Sequence, residues 1–214
     1  MSVTEENSLR ERLCRWGRSF FHRGYSPGSS GNLSCRLNDG YLVTPTNSCL
    51  GFLEPDRLSK LDAEGRHVGG DPPTKELPLH LTFYEVRPSA QAVVHLHSTY
   101  ATALSCLGDV DPRDAIPPIT PYVVMRVGRV PLVPYTHPGS RDVEPFVRDL
   151  GPAHAALLLS NHGPVVAGTS LENAVFAAEE LEETAKLVLI TRGLPVRTLD
   201  PERIAELGAM YKLR

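Results

Sequence analysis

The spacing of hydrophobic and polar residues changes along the chain, and three segments show helical spacing. Apolar residues recur every three or four positions over residues 8–23 and again over residues 170–192. The second of these segments follows a capping-box pattern, Thr169 with Glu172, and is predicted to be the longest helix. Residues 201–214 are predicted to form a last short helix.

Short apolar runs bounded by turn residues predict strands between these helices. The runs LSCRL and YLVTPT flank a hairpin signal at residues 38–40, and LSKLD follows them. AVVHLH and the runs on both sides of the turn at residues 161–163 have the composition of buried strands. Residues 26–34 are too rich in Gly and Ser for helix or strand, and residues 109–140 are predicted to form short strands and loops.

A further helix is predicted in the segment DPPTKELPLHLTFYEVRP. Pro78 has to lie in its first turn, because a proline deeper in a helix would break it. Glu76 therefore lies at or just before the helix start. All these elements together predict one α/β domain over residues 1–214, α+β-like in arrangement, with a central, mainly antiparallel sheet flanked by helices.

Composition and charge narrow the classes of function. The 214 residues carry a formal net charge of −3, which gives no reason to expect nucleic acid or an acidic membrane as a partner. The polar N-terminus has no apolar stretch that resembles a signal peptide, and no apolar run reaches membrane-spanning length. We therefore expect a cytoplasmic protein without a membrane partner.

Two histidines interrupt the buried strand AVVHLH, and their spacing indicates metal binding. His95 and His97 point to the same side of a strand, where two neutral imidazoles can converge on one ion. The alternative is a pair of hydrogen-bonded polar side chains at a strand end. His162, in the turn NHG after another strand, favours a metal, and Glu76 is the best carboxylate candidate. His80 lies four residues after Glu76 and is interpreted as structural.

Two polar turns and a lysine indicate a phosphate site. The loop SSGNLS brings Gly31 and Asn32, a combination that lets backbone and side-chain donors approach an anion, although a plain turn has the same composition. The turn TPTN contributes Thr46 and Asn47 at a strand end. Lys75 lies beside Glu76, where it either serves as a point charge for a phosphate or is a solvated lysine at a helix start.

These motifs occur in one order, which resembles the class II aldolase/adducin family over roughly residues 8–195. The segments that carry the resemblance are SSGNLS, TPTN, PTKELPLH, AVVHLHST, LLLSNHGPVVAG and SLENAVFAAEELEETAKL. The resemblance implies a three-layer fold and a fourfold tetramer with active sites at subunit interfaces. It also implies a zinc site formed by Glu76, His95, His97 and His162.

The resemblance implies roles for further residues. Phosphate contacts would come from Asn32, Thr46, Asn47, Thr74 and Lys75. Lys75 departs from the aldolases of the family, which have a small hydroxyl residue at that position. Glu76 would act as the acid/base, and a mobile tyrosine near the aldolase site corresponds to Tyr135 in VPYTHPG.

Within the family, the chain is most similar to the 3-oxo-tetronate 4-phosphate decarboxylases, which implies a phosphorylated small sugar acid as substrate. The segments TPTNSCLGFLEPDRLSKLD and DPRDAIPPITPY carry this finer resemblance. A sugar-phosphate aldolase, a 4-epimerase and a dehydratase are the enzyme alternatives, and an adducin-like binding module is the non-enzymatic one. Mn²⁺ or Co²⁺ could replace Zn²⁺, because histidine and carboxylate ligands suit several divalent ions.

Overall fold

The computed structural model of the chain describes residues 3–211, and these contain an eight-stranded sheet. The strands are β1 Asn32–Arg36, β2 Gly40–Val43, β3 Ser59–Asp62, β4 His67–Gly69, β5 Ala92–His95, β6 Leu132–Val133, β7 Ala156–Leu159 and β8 Gly163–Gly168. Their order is β4-β3-β2-β1-β5-β8-β7-β6, and only the β6–β7 pair is parallel. The predicted fold class, a mainly antiparallel sheet in an α/β protein, is confirmed.

Helices cover both faces of this sheet. They are α1 Val3–His22, α2 Leu77–Val86, α3 Thr99–Ser105, α4 Pro121–Arg126, α5 Glu144–Leu150, α6 Leu171–Ile190 and α7 Pro201–Tyr211. Consecutive strand residues point to opposite faces. Val94 accordingly packs in a cluster with α1, α3 and α6, whereas Val93 packs in a second cluster with α2 and α5. The three layers follow from this alternation.

No helix within the described residues is both long and apolar enough to cross a membrane.

The two longest helices differ from the prediction at their starts. The first helix begins at Val3 rather than at residue 8, and an ion pair of Glu6 with Arg10 supports its first turns. The capping side chain of α6 is Ser170 rather than Thr169, because the Ser170 Oγ accepts from the backbone N–H of Asn173. Both helices have 20 residues, so neither is longer than the other.

Two segments have a different secondary structure from the one expected. Asn32, predicted as loop, begins β1 and pairs with His95 on β5. Residues 33 and 34 lie both in the Gly- and Ser-rich stretch and in the predicted strand LSCRL, and the structure places them in β1. The run YVVMRVG, predicted as a short strand, forms α4, in which the Thr120 hydroxyl accepts from the Val123 N–H and Pro121 occupies the first turn. The last helix ends at Tyr211, and residues 212–214 of the predicted helix lie outside the described residues.

A buried carboxylate connects α6 to the start of α3, directly after His97. Glu182 is 3% exposed, and its two oxygens accept the backbone N–H groups of Tyr100 and Ala101 at 2.9 and 2.8 Å. The residue at the helix start, Ser98, makes no capping bond with its own side chain. Glu182, which lies on the neighbouring helix α6, thus accepts from two otherwise free backbone donors at the start of α3. It thereby fixes the backbone segment that follows His97.

We expect Glu182→Ala to lower the free energy of unfolding by about 2–3 kcal/mol, because it leaves two backbone donors without an acceptor. The matched control is Glu183→Ala, which removes an exposed carboxylate from the next position of the same helix. Its expected change is within about 0.5 kcal/mol. Urea denaturation measures both variants, and equal losses would contradict the capping role.

Candidate metal centre

The four residues that the sequence predicts as ligands come from three places in the fold. Glu76 is the residue that precedes the first turn of α2. His95 ends β5 and His97 follows two residues later, so the predicted strand is shorter than expected. His162 lies in the turn between β7 and β8. Because His95 pairs with Val165 on β8, this turn lies against the end of β5.

The turn that carries His162 has an unusual backbone. Asn161 adopts a φ of 56°, in the left-handed region that asparagine tolerates better than most residues. Gly163 has a φ of +149°, and a Cβ atom there would lie 2.4 Å from the carbonyl oxygen of Leu96. Only glycine therefore lets the turn approach the His95–His97 segment closely enough for the histidines to meet.

The ligand atoms of Glu76, His95, His97 and His162 all lie within 4.8 Å of one another. The Nε2 atom of His95 is 3.1 Å from that of His97 and 3.3 Å from that of His162. The two carboxylate oxygens of Glu76 lie 3.3 Å from the Nε2 atoms of His95 and His162. The structure thus brings together all four predicted ligands.

The donor atoms of this cluster fit a divalent cation. The Nδ1 atom of His95 lies 2.9 Å from the carbonyl oxygen of Pro164 and has to donate to it. In the neutral His95 ring, the Nε2 atom then carries a lone pair. This lone pair faces two further imidazole nitrogens and a carboxylate. Three nitrogens and one oxygen are a common ligand set for Zn²⁺, and Mn²⁺ or Co²⁺ also accept it.

Burial and mutual charge keep two of the histidines neutral. Burial, followed by the charge of His95, lowers the pKa of His97 to about 3 and that of His162 to about 4. Burial raises the pKa of Glu76, but the charge and hydrogen bond of His95 outweigh it and hold that pKa well below its usual range. Burial lowers the pKa of His95, yet the charge and hydrogen bond of Glu76 raise it overall.

A cavity of about 440 Å³ opens beside the cluster. The five residues predicted to bind phosphate all line it: Asn32, Thr46, Asn47, Thr74 and Lys75. Gly31, at φ +76°, passes so close to the strand end that a Cβ atom would lie 3.0 Å from the carbonyl oxygen of His95. Lys75 is exposed and makes no ion pair with any of residues 3–211. Its charge is therefore available to an anion in this cavity.

A larger cavity, of about 520 Å³, lies between α4 and α7 and contains none of the predicted site residues. Asp111, Asp114 and Arg113 line it together with apolar side chains. Because it brings no ligand cluster together, the smaller cavity beside the histidines is the stronger candidate for the chemistry.

The structure does not place Tyr135 in this cavity. Its side chain is 60% exposed, and the cavity lining does not include it. The residues that follow, 136–140, line a small pocket against Glu76 and His162, and the exposed His137 among them was not anticipated. The catalytic role of Tyr135 therefore stays a prediction.

Comparison with known proteins identifies the family. Residues 11–189 match the family model described as the class II aldolase and adducin N-terminal domain. The chain belongs to this family. The resemblance found in the sequence motifs is thereby confirmed.

Three similar proteins illustrate the relationship within the family. The 3-oxo-tetronate 4-phosphate decarboxylase of Escherichia coli (strain K12) is 54% identical over 94% of this chain and 96% of its own length. The L-fuculose phosphate aldolase of the same strain is 32% identical over 97% and 96%. The crystal structure of YgbL from Escherichia coli superposes with a TM-score of 0.92 at 53% identity, covering 94% of this chain and 98% of the other.

Zinc binding is expected to displace about one proton from the cluster between about pH 5 and about pH 6. In that range Glu76 is ionised, and His97 and His162 are already neutral. The proton that a metal displaces is the one on His95, whose pKa is raised. The logarithm of the affinity should therefore rise by about one per pH unit until the pH passes that pKa. Competition with a chelator of known proton affinity measures the slope, and a slope of about three would contradict this assignment.

We expect His97→Ala to lose bound metal and catalytic turnover together, because it removes one of four ligands. His67→Ala is the matched control, since His67 is an exposed histidine of β4 whose ring, among residues 3–211, is hydrogen-bonded to the Gly69 carbonyl oxygen alone. Elemental analysis of the purified proteins gives the metal content. Full metal content in the His97 variant would show that the ligand set is wrong.

Proposed function

We propose that this chain is a metal-dependent carboxy-lyase of carbohydrate metabolism that converts a 3-oxo-tetronate 4-phosphate into dihydroxyacetone phosphate and CO₂. The observation that carries the proposal is that a metal-ligand cluster and an unpaired lysine line the same cavity. One end of this cavity suits a keto acid and the other a phosphate. Decarboxylation is preferred over aldol cleavage because the relative at 54% identity is named a decarboxylase, whereas the aldolase is 32% identical.

The substrate class determines what the site has to do. A 3-oxo-tetronate is a β-keto acid, so breaking the C1–C2 bond releases CO₂ and sends the bonding electrons toward the C3 carbonyl oxygen. A divalent cation held by Glu76, His95, His97 and His162 would supply Lewis-acid stabilisation of that negative charge. The protein then has to hold the phosphate, exclude competing reactions and deliver one proton to C2.

The phosphate end of the substrate is assigned to the polar residues of the cavity. Lys75 provides a point charge, and Thr46, Asn47 and Thr74 provide hydroxyl, amide and backbone groups around it. The Asn32 amide is already engaged by Glu76 and His80, so its predicted phosphate contact has to use what remains of its hydrogen-bonding capacity. Fixing the phosphate orients the C1–C2 bond relative to the cluster.

Glu76 is assigned the proton transfer to C2, directly or through a water molecule. Its carboxylate lies at the boundary between the cluster and the cavity, with 13% of the side chain exposed. A carboxyl group in that place can take a proton from solvent and pass it to the carbon that CO₂ has left. Tyr135 is proposed as a helper.

The exposure of Tyr135 supports a site completed by a second subunit. A tyrosine that is 60% exposed, next to residues that line the Glu76 pocket, has an apolar ring available to a partner. Following the family resemblance, we propose a homotetramer with interface active sites and one zinc ion per subunit. We also propose, from the sequence, that the protein is cytoplasmic. The assignment of residues 1–214 to one domain is part of the same proposal.

The main alternatives are a class II sugar-phosphate aldolase of the fuculose or ribulose type and a 4-epimerase. Both would use the same cluster, because they also stabilise charge beside a carbonyl group. An adducin-like binding module is disfavoured by the presence of all four cluster residues. A purified protein without stoichiometric metal would favour the module.

The proposed reaction is tested by offering the zinc-loaded protein the erythro and threo 3-oxo-tetronate 4-phosphates together with fuculose 1-phosphate. We expect CO₂ and dihydroxyacetone phosphate from one of the two acids, and slow cleavage of the sugar. Isotope-labelled C1 identifies the released carbon. Rapid cleavage of the sugar without CO₂ release from either acid would make the protein an aldolase.

Lys75→Ala is expected to weaken substrate binding about ten- to a hundredfold, because a hydrogen bond to a charged group is worth about 1.5–3 kcal/mol. The effect should appear mainly in KM and in the inhibition constant of inorganic phosphate. Lys60→Ala is the control. Lys60 lies on β3, is ion-paired with Glu6 and Asp39, and does not line the cavity. Unchanged phosphate inhibition in the Lys75 variant would contradict the assignment.

A further inference from the structure

A row of buried hydrogen bonds runs from Glu76 into the protein, away from the cavity. The Asn32 Nδ2 donates to Glu76 Oε2 at 2.8 Å, and the Asn32 Oδ1 lies 2.6 Å from the Nε2 atom of His80. The Nδ1 atom of His80 lies 2.7 Å from the Ser34 hydroxyl, which lies 2.9 Å from the Tyr84 hydroxyl. The proposed reaction does not use His80, Ser34 or Tyr84.

Two regular elements produce this row. Glu76, His80 and Tyr84 are four residues apart and therefore lie on one face at the start and along the length of α2. Asn32 and Ser34 are two residues apart on β1 and point to one face of the sheet. The polar face of α2 thus lies against the polar residues of β1. Along the row, residues from the helix and from the strand alternate.

The chemistry of the groups fixes the direction of every bond. An ionised Glu76 only accepts, so the amide nitrogen of Asn32 faces it and the amide oxygen faces His80. His80 then has to carry its proton on Nε2, which leaves Nδ1 to accept from Ser34. The hydroxyl proton of Ser34 is thereby used, so Ser34 accepts from Tyr84.

Burial makes each member of the row depend on its neighbours. His80 and Ser34 are fully buried, and Tyr84 and Asn32 are 2% and 6% exposed. A buried polar group without a partner costs about 1–3 kcal/mol, so reversing one bond is unfavourable throughout the row. Burial keeps His80 neutral and Tyr84 protonated, because it lowers the pKa of His80 to about 3 and raises that of Tyr84.

We propose that His80 is a positioning residue for Glu76 and acts through Asn32. If the Asn32 side-chain amide rotated by about 180°, its oxygen would face the Glu76 carboxylate and its nitrogen would face the Nε2–H of His80. Both contacts would then be repulsive, so the His80 proton holds the amide in the orientation that supports Glu76. The Ser34 hydroxyl, which accepts from Tyr84 in this arrangement, donates to Nδ1 and stabilises this tautomer of His80. This role rests on the proposed function of Glu76 as ligand and proton carrier.

A pair of substitutions at one position separates positioning from simple packing. Glutamine places an amide nitrogen near the site of the imidazole Nε2, so His80→Gln keeps a donor for Asn32. Asparagine reaches only the site of Nδ1, so His80→Asn keeps a partner for Ser34 and loses the donor for Asn32. Both variants remove part of a buried ring and are expected to lower thermal stability.

The first readout needs no substrate. Cobalt(II) in the cluster absorbs visible light in a way that depends on the position of its ligands. We expect His80→Asn to shift this spectrum and to weaken metal affinity about ten- to a hundredfold, the range typical when the hydrogen-bond partner of a metal ligand, here Asn32, is disturbed. His80→Gln should keep the wild-type spectrum and an affinity within about threefold of it.

The second readout is turnover with whichever substrate the zinc-loaded protein accepts. His80→Asn should lower kcat by about ten- to a hundredfold with little change in KM, whereas His80→Gln recovers most of it. If decarboxylation fails for the wild type, the cobalt spectra and affinities still decide the role of His80. The two proposals can therefore fail separately.

Ser34→Ala serves if His80→Asn does not fold, because it removes only one hydroxyl. It frees the His80 tautomer and should shift the cobalt spectrum in the same direction by a smaller amount. Tyr84→Phe should leave spectrum and kcat within about threefold of wild type, because the remaining bonds keep their direction. Wild-type spectra and kcat in His80→Asn and Ser34→Ala, with stability losses alone, would show that the row only packs α2 on β1.

Discussion

The fold is organised around four ligand side chains in which the Glu76 carboxylate attracts a protonated His95, while the lone pairs of the other two imidazoles face the same point. Three Nε2 atoms and one carboxylate lie within 4.8 Å, and only one of the histidines has a raised pKa. These side chains stay together because the surrounding backbone segments fix their positions. The pairing of His95 with Val165 and the close approach of Gly163 to Leu96 bring the third imidazole to the first two.

The same constraint explains features that lie outside the cluster. Glu182 reaches from α6 to the start of α3 and holds the chain where it leaves His97. On the other side, His80 and Asn32 hold Glu76 from within the layer between α2 and the sheet. Glu76 is thus supported by a buried hydrogen bond from Asn32 on β1, and His95 by one to the Pro164 carbonyl oxygen on β8. The cavity with Lys75 opens beside the cluster. Rigid support of this kind lets one cluster serve a reaction whose charge develops next to it.

The parts of the site that the sequence predicts are those that depend on local periodicity. The position of Pro78, which places Glu76 at a helix start, is a local signal that agrees with the structure. The two-residue spacing of His95 and His97 is another, and the two rings do meet at the cluster, although the strand ends at His95. The turn at His162 is local as well. The order of the motifs identified the family, which extends these signals to the whole fold.

The parts that were missed depend on contacts between distant segments. Asn32 lies in a Gly- and Ser-rich stretch predicted as loop, yet pairing with His95 on β5 makes it a strand residue. The role proposed for His80 was not visible for the same reason, because its partners lie on β1, more than 40 residues away. The four-residue spacing of Glu76, His80 and Tyr84 was a signal, but it predicts only a shared helix face. The role of Tyr135 stays a prediction, because its exposed side chain lies outside the cavity beside the cluster.

The most direct test of the central claim is X-ray absorption spectroscopy of the zinc-loaded protein, combined with anomalous diffraction at the zinc edge. One zinc ion bound at the cluster predicts three nitrogen ligands and at least one oxygen ligand at about 2.0–2.2 Å. The anomalous peak should lie between Glu76, His95, His97 and His162. Zinc at any other position, or a ligand set that lacks the three imidazole nitrogens, would contradict the account.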